Sequence, residues 1–190
     1  FHPDILYIHT SNRNIEQYPS LEDDRTLVTQ KLQAEYERFQ ALWEHLHAVY
    51  GCPVIQNNFE PPLYRLLGNR DASDHRGRWN YIQRLNQMFY EYADTHQDFY
   101  IHDICYEAAD YGLERWSDPF YWNMYKYAMC VPAIPYTAFQ LARIIKSIFG
   151  RNKKVLNLDL DNTLWGGVIG DDGPENIEIG QETSLGQTYA

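Results

Sequence analysis

Short apolar runs alternate with long segments of helical periodicity, and this alternation restricts the chain to parallel βαβ architecture. Residues Ile5–Ile8, Cys52–Gln56 and Phe99–Ile101 read as strands. Between the first two, Leu32, Tyr36, Phe39, Trp43 and Leu46 recur at steps of three and four and form one apolar stripe. That stripe predicts a helix over Leu21–Tyr50, capped by Ser20, with Glu22, Asp23 and Asp24 in its first turn and Gly51 at its end. A second stripe of Trp79, Ile82, Leu85, Met88, Phe89 and Tyr92 predicts a helix from Ser73 or Asp74 to Thr95. Shorter helices are expected over Asp103–Tyr111 and Pro135–Phe149, with irregular structure at 113–133. Parallel strands need crossovers of this length. The expected fold class is therefore α/β, with three-layer Rossmann-like parallel sheets.

Composition narrows the function classes. Of the 190 residues, 44% are hydrophobic and 15% aromatic, enough for a packed core. A net charge of −10 argues against nucleic acid as a partner. No apolar run approaches the roughly 20 residues of a membrane span. The start, FHPDILYIHT, lacks the basic lead and small-residue cleavage site of a signal peptide. Cys52, Cys105 and Cys130 are scattered and odd in number, which fits neither a disulfide framework nor zinc spacing. Reduced thiols and a cytoplasmic location are expected. His45 and His47 stand two apart, so they would not share a helix face.

Chemistry concentrates in Lys153–Gly167, KKVLNLDLDNTLWGG. A short apolar run, Val155, Leu156 and Leu158, predicts a buried strand ending at Asp159 and Asp161. Residues i and i+2 of a strand share a face, so both carboxylates would project together. Of two adjacent anions one tends to protonate or a cation must sit between them, and Mg2+ suits carboxylate, carbonyl and water oxygens. Phosphoryl transfer fits: one carboxylate attacks phosphorus and the other serves as acid and base. A bare Asp-x-Asp, taken by itself, reads only as a strand that ends in an Asp-Asn turn.

The longer pattern resembles motif I of the haloacid dehalogenase (HAD) superfamily, Asp-x-Asp-x-Thr after an apolar strand. More narrowly, LDLDNTLWGGVIGDDG looks like the HAD subfamily of FkbH-like proteins, which join an SGNH-hydrolase-like domain to a HAD domain. The resemblance implies Asp159 as nucleophile, Asp161 as general acid and base, and Thr163 as support for the loop. It implies Mg2+ held by Asp159 and by the Asp161 backbone carbonyl, and a phosphorylated small molecule as substrate. Some members load glyceryl units onto an acyl carrier protein, which would make that protein a partner. Two domains are expected: 1–150, SGNH-like with its first part lying ahead of Phe1, and 151–190, the start of a HAD-like domain. Trp165–Gly180 is expected to form a β-hairpin flap, with a helix starting at Thr183 or Ser184. The remaining HAD motifs have no place in 164–190, so this chain by itself is expected to be inactive as a phosphatase.

Two other functions fit the N-terminal part. Thr10-Ser11-Asn12-Arg13 after a strand resembles an SGNH block whose asparagine lines an oxyanion hole, which would be Asn12. The block's glycine is absent, and Tyr121 stands where the Asp-x-x-His block would put histidine after Asp118. Without that base a serine esterase is disfavoured, and Asn12 and Asp118 also fit plain turn and helix caps. The alternative is a non-catalytic module that binds a carrier protein. Trp116, Phe120, Tyr121, Trp122, Tyr125 and Tyr127 would offer it a groove, and Arg143, Lys146, Arg151, Lys153 and Lys154 a basic patch. A buried aromatic cluster and cations at a helix end are the plainer accounts of both sets.

Overall fold

A computed structural model describes residues 2–189. The chain divides into two compact units, residues 1–145 and 146–190. The first is built on a parallel sheet of three strands: β1 (Leu6–Ile8), β2 (Val54–Asn57) and β3 (Phe99–His102), in that spatial order. Leu6 pairs with Val54 and Val54 with Phe99, and the register continues to Asn57 opposite His102. The crossovers are α1 (Arg25–Tyr50) and α2 (Arg78–Thr95), as the two stripes predicted. Beyond β3 lie α3 (Ile104–Tyr111), α4 (Leu113–Trp116), α5 (Pro119–Tyr125) and α6 (Ala133–Ile148). Among the described residues no helix is long and apolar enough to cross a membrane.

Val54 and Phe99 face α1 and α2, and the core on that side is aromatic. Trp43 of α1 sits 4.7 Å from Phe89 and from Phe99, and 4.8 Å from Tyr92, between ring centroids. Ile55 is next in the strand, points the other way and is fully buried. A smaller cluster of Ile104, Ala108, Trp116, Met129, Cys130 and Ala133 joins α3, α4 and α6. His102 Nε2 lies 2.6 Å from Glu107 Oε1, which ties α3 to β3. The fold is thus a three-layer α/β arrangement.

The helix ends differ from the sequence expectation for local reasons. Helix α1 begins at Arg25 because Asp24 accepts the Leu27 amide at 2.8 Å. Ser20 is spent in a separate turn, with its hydroxyl 2.6 Å from Asp23 Oδ1. Helix α2 begins at Arg78, and a 3₁₀ turn over Gly68–Ala72 precedes it. The buried Asp71 carboxylate accepts the Trp79 amide at 2.7 Å and so caps α2 from outside the helix. Gly77 makes room for this, because a Cβ there would stand 2.0 Å from the Asp71 carbonyl oxygen. The stretch expected to be irregular contains α4 and α5, the latter started by Asp118 and Pro119.

The second unit departs further. Val155–Leu158 is not a strand, and Val155 and Leu156 are 81% and 79% exposed. An isolated apolar run gains a strand's hydrogen bonds only beside parallel neighbours, and none lies within the described residues of 146–190. The expected hairpin reduces to one antiparallel bridge, Gly166 with Glu178. Its first arm is instead α7 (Ile169–Asp172), because Asp172 Oδ2 reaches back to the Val168 amide at 2.8 Å. The last expected helix is only a 3₁₀ turn, Gly186–Thr188.

Trp43 joins the aromatic core to a buried polar group, since its indole N–H donates to Gln56 Oε1 at 3.1 Å. Trp43→Ala should lower unfolding free energy by about 3–5 kcal/mol in urea titrations. Trp43→Phe should cost about 1–3 kcal/mol, chiefly through the stranded Gln56 oxygen.

Candidate functional site

The Asp159–Gly173 segment keeps a defined shape without a sheet beneath it. Leu160 oxygen accepts the amides of Thr163 and Leu164 at 3.2 and 2.9 Å, which closes a turn. Asn162 adopts φ +54° inside that turn, a conformation asparagine tolerates better than most residues. Its Oδ1 accepts the Gly167 amide at 2.9 Å, and its own amide donates to the Gly167 oxygen at 3.3 Å. Gly167 has φ +102°, and a Cβ on it would meet Asp172 Oδ2 at 3.1 Å.

The two aspartates are in different situations. Asp161 is half-buried, and its Oδ1 accepts Trp165 Nε1 at 3.1 Å and the Ile169 amide at 3.2 Å. Asp159 is exposed, and its Oδ1 accepts only the neighbouring Leu160 amide, at 2.9 Å. Thr163 joins the loop through its backbone. The loop therefore holds one carboxylate on two donors and leaves the other facing solvent. Trp165, part of the motif's Trp-Gly-Gly extension, thus holds Asp161, and Asp172 is a working part of this loop that the sequence reading did not single out. Among the described residues no group of three or more His, Cys, Asp or Glu could hold a metal ion. The donors present are oxygens, the type Mg2+ takes, and they would fill only part of its six-fold shell.

In the first unit, the carboxyl ends of the strands carry the polar residues, where open α/β sheets bind ligands. Asn12 donates its side-chain amide to the Glu60 and Pro61 oxygens at 3.5 and 3.4 Å, so it is spent on backbone carbonyls. Asp118 accepts the Phe120 amide at 2.9 Å and caps α5. Asp118 thus serves as a helix cap and Asn12 as a bridge between two loops, while Ser11 caps the turn that Asn12 begins. The sequence reading missed Glu60, in the NNFEPP loop directly after β2. It is only 6% exposed and accepts the Asn12 backbone amide at 3.2 and 3.3 Å. Burial pushes its carboxyl up to about 7, against the opposing pull of the Asn12 amide and of Arg13.

No family model and no curated protein matches the chain. Among solved structures it is similar to the N-terminal part of the protein BF1531 from Bacteroides fragilis, which contains a phosphatase domain and was crystallised in complex with Mg. The two are 26% identical and superpose with a TM-score of 0.83 over 98% of this chain. This chain spans 48% of that one, about half its length.

Glu60 makes stability depend on pH in a defined direction. The folded chain binds the proton up to about 7, the unfolded chain only up to about 4.5. The stability from this group is fully present below pH 4.5 and is lost as pH rises through 7. The loss should be on the order of 3 kcal/mol. Urea midpoints between pH 4.5 and 8 should show this slope in the parent chain and a flatter one in Glu60→Gln.

Proposed function

We propose that the chain contributes the nucleophile loop of a Mg2+-dependent phosphatase or phosphotransferase of the haloacid dehalogenase type. One observation carries this reading: Asp161 accepts hydrogen bonds from Trp165 and Ile169, while Asp159, two residues earlier in the same loop, faces solvent. The structural likeness to a protein with a Mg-bound phosphatase domain supports it. The FkbH-like grouping and the acyl carrier protein partner rest on the sequence pattern alone.

In this mechanism Asp159 attacks the phosphorus of a phosphate monoester and displaces the alcohol oxygen. Asp161, as general acid, gives a proton to that oxygen as the bond breaks. Its Oδ1 already accepts two hydrogen bonds, so the proton is carried on Oδ2. Water then attacks the phosphorus of the aspartyl-phosphate, Asp161 takes its proton, and phosphate leaves with Asp159 restored. Mg2+, held by the Asp159 carboxylate and the Asp161 carbonyl, would screen the charge of the phosphoryl oxygens. Thr163 and Asn162 keep the turn that follows Asp161.

The test is hydrolysis of an aryl phosphate with Mg2+, on residues 1–190 and on any longer natural form of the chain. A longer form should be active, and Asp159→Asn should abolish that activity without unfolding the protein. Asp161→Asn should cost on the order of 10²–10⁴-fold, and Trp165→Phe less than Asp161→Asn, since one of two orienting donors remains. Residues 1–190 alone should be inactive, because no metal-holding group of three or more acidic, His or Cys side chains lies among the described residues. Full activity of Asp159→Asn would overturn the assignment.

A further inference from the structure

The first unit contains a cavity of about 310 Å³ at the carboxyl end of the sheet, apart from the Asp159 loop in sequence and chemistry. Arg13 of the loop after β1, Glu60 of the loop after β2 and Arg78 at the start of α2 line it together. Leu66, Leu113 and Trp116 supply apolar wall.

The two arginines have no ion-pair partner among the described residues. Each guanidinium rests on an aromatic ring instead. Arg13 Cζ lies 4.0 Å from the Trp122 ring centroid, and Arg78 Cζ 4.9 Å from that of Tyr18. Ring stacking limits where a guanidinium can point while leaving its N–H donors free. Unpaired surface arginines are ordinary one at a time. Two held over rings in the lining of one cavity, with the buried Glu60 carboxyl in the same lining, form a charged pocket. With Glu60 ionised the three groups sum to one positive charge, which matches a monoanion better than a dianion. With Glu60 protonated the sum is two, and its O–H becomes a donor.

We propose that this cavity binds a small carboxylate with an apolar body, its oxygens on Arg13 and Arg78 and its body against Leu66, Leu113 and Trp116. Binding adds a negative charge near Glu60, so it draws a proton onto that carboxyl. The raised affinity of buried Glu60 for its proton is consistent with this coupling.

The experiment is calorimetry on the whole chain with three probes of one shape. Phenylacetate is the carboxylate, benzylphosphonate carries the dianion, and 2-phenylethanol is the neutral analogue. At pH 8 phenylacetate should bind, benzylphosphonate should bind more weakly, and 2-phenylethanol should show no heat of binding. Arg13→Gln and Arg78→Gln should each weaken phenylacetate about tenfold, the scale of one charge-assisted hydrogen bond. Arg143→Gln, an exposed arginine on another helix, should change nothing. Phenylacetate binding near pH 7 should take up protons, read from two buffers of different ionisation heat, and Glu60→Gln should abolish that uptake. Each variant is checked for folding by circular dichroism, and Arg13→Lys and Arg78→Lys should recover part of the affinity. Equal binding of 2-phenylethanol would reduce the site to an apolar slot and overturn the proposal. Absence of phenylacetate binding up to about 20 mM, an affinity below that of millimolar ligands, would overturn it as well. Tighter binding of benzylphosphonate at pH 8 would overturn the choice of a carboxylate.

Discussion

Everything at the ligand-facing end of the sheet depends on side-chain amides that stand in for missing backbone partners. A parallel strand that ends leaves unpaired N–H and C=O groups, and burying them costs free energy unless something bonds to them. Asn57 solves this for the loop after β1: its Oδ1 accepts the Thr10 amide at 2.7 Å and its Nδ2 donates to the Thr10 oxygen at 2.6 Å. Asn86 of α2 does the same for Phe59, with bonds of 2.8 and 2.9 Å. Asn58 bridges Tyr90, Asp103 and the Cys105 amide. The Asn57 and Asn86 pairs each imitate one rung of a sheet, and Asn58 ties its loop to α2 and α3.

The sequence revealed those parts of the fold that a repeated pattern specifies. Trp43, Phe39, Phe89 and Tyr92 fall at helical spacing, and they are buried as that spacing requires. The amides were not legible, because an isolated asparagine at a strand end carries no period and its partner is set by tertiary placement. Gln56 is a clear case: it reads as a polar residue leaving a strand, yet it is fully buried. Glu35 sits on the α1 stripe side and accepts the Glu16 and Gln17 amides, a role visible only once the loop is in place. Asp118-Pro119 was a readable start for α5, and the aromatic density around it concealed the signal.

The motif loop shows the opposite balance. Apart from the Gly166–Glu178 bridge its bonds span eight residues at most, such as Ile169 to Asp161, so the turn is written largely within its own stretch of sequence. The apolar run before it is not local in that sense. Val155 and Leu156 have the composition of a strand but lack the neighbours that would make them one, so composition alone misplaced them. The hairpin arm failed for a related reason, since Asp172 offered the Val168 amide a nearer partner than any strand across the loop.

Gln56 joins three elements through one side chain. Its oxygen accepts from Trp43 of α1, and its nitrogen donates to the Thr10 hydroxyl at 3.0 Å and to the Asn57 oxygen at 2.9 Å. Replacing any one member leaves the others buried with unmet donors or acceptors, while replacing them together with apolar groups of matching shape removes the debt. Positions 10, 43 and 56 are therefore constrained as a set. Their substitutions will be non-additive, and drift at one of them is blocked until its companions have changed.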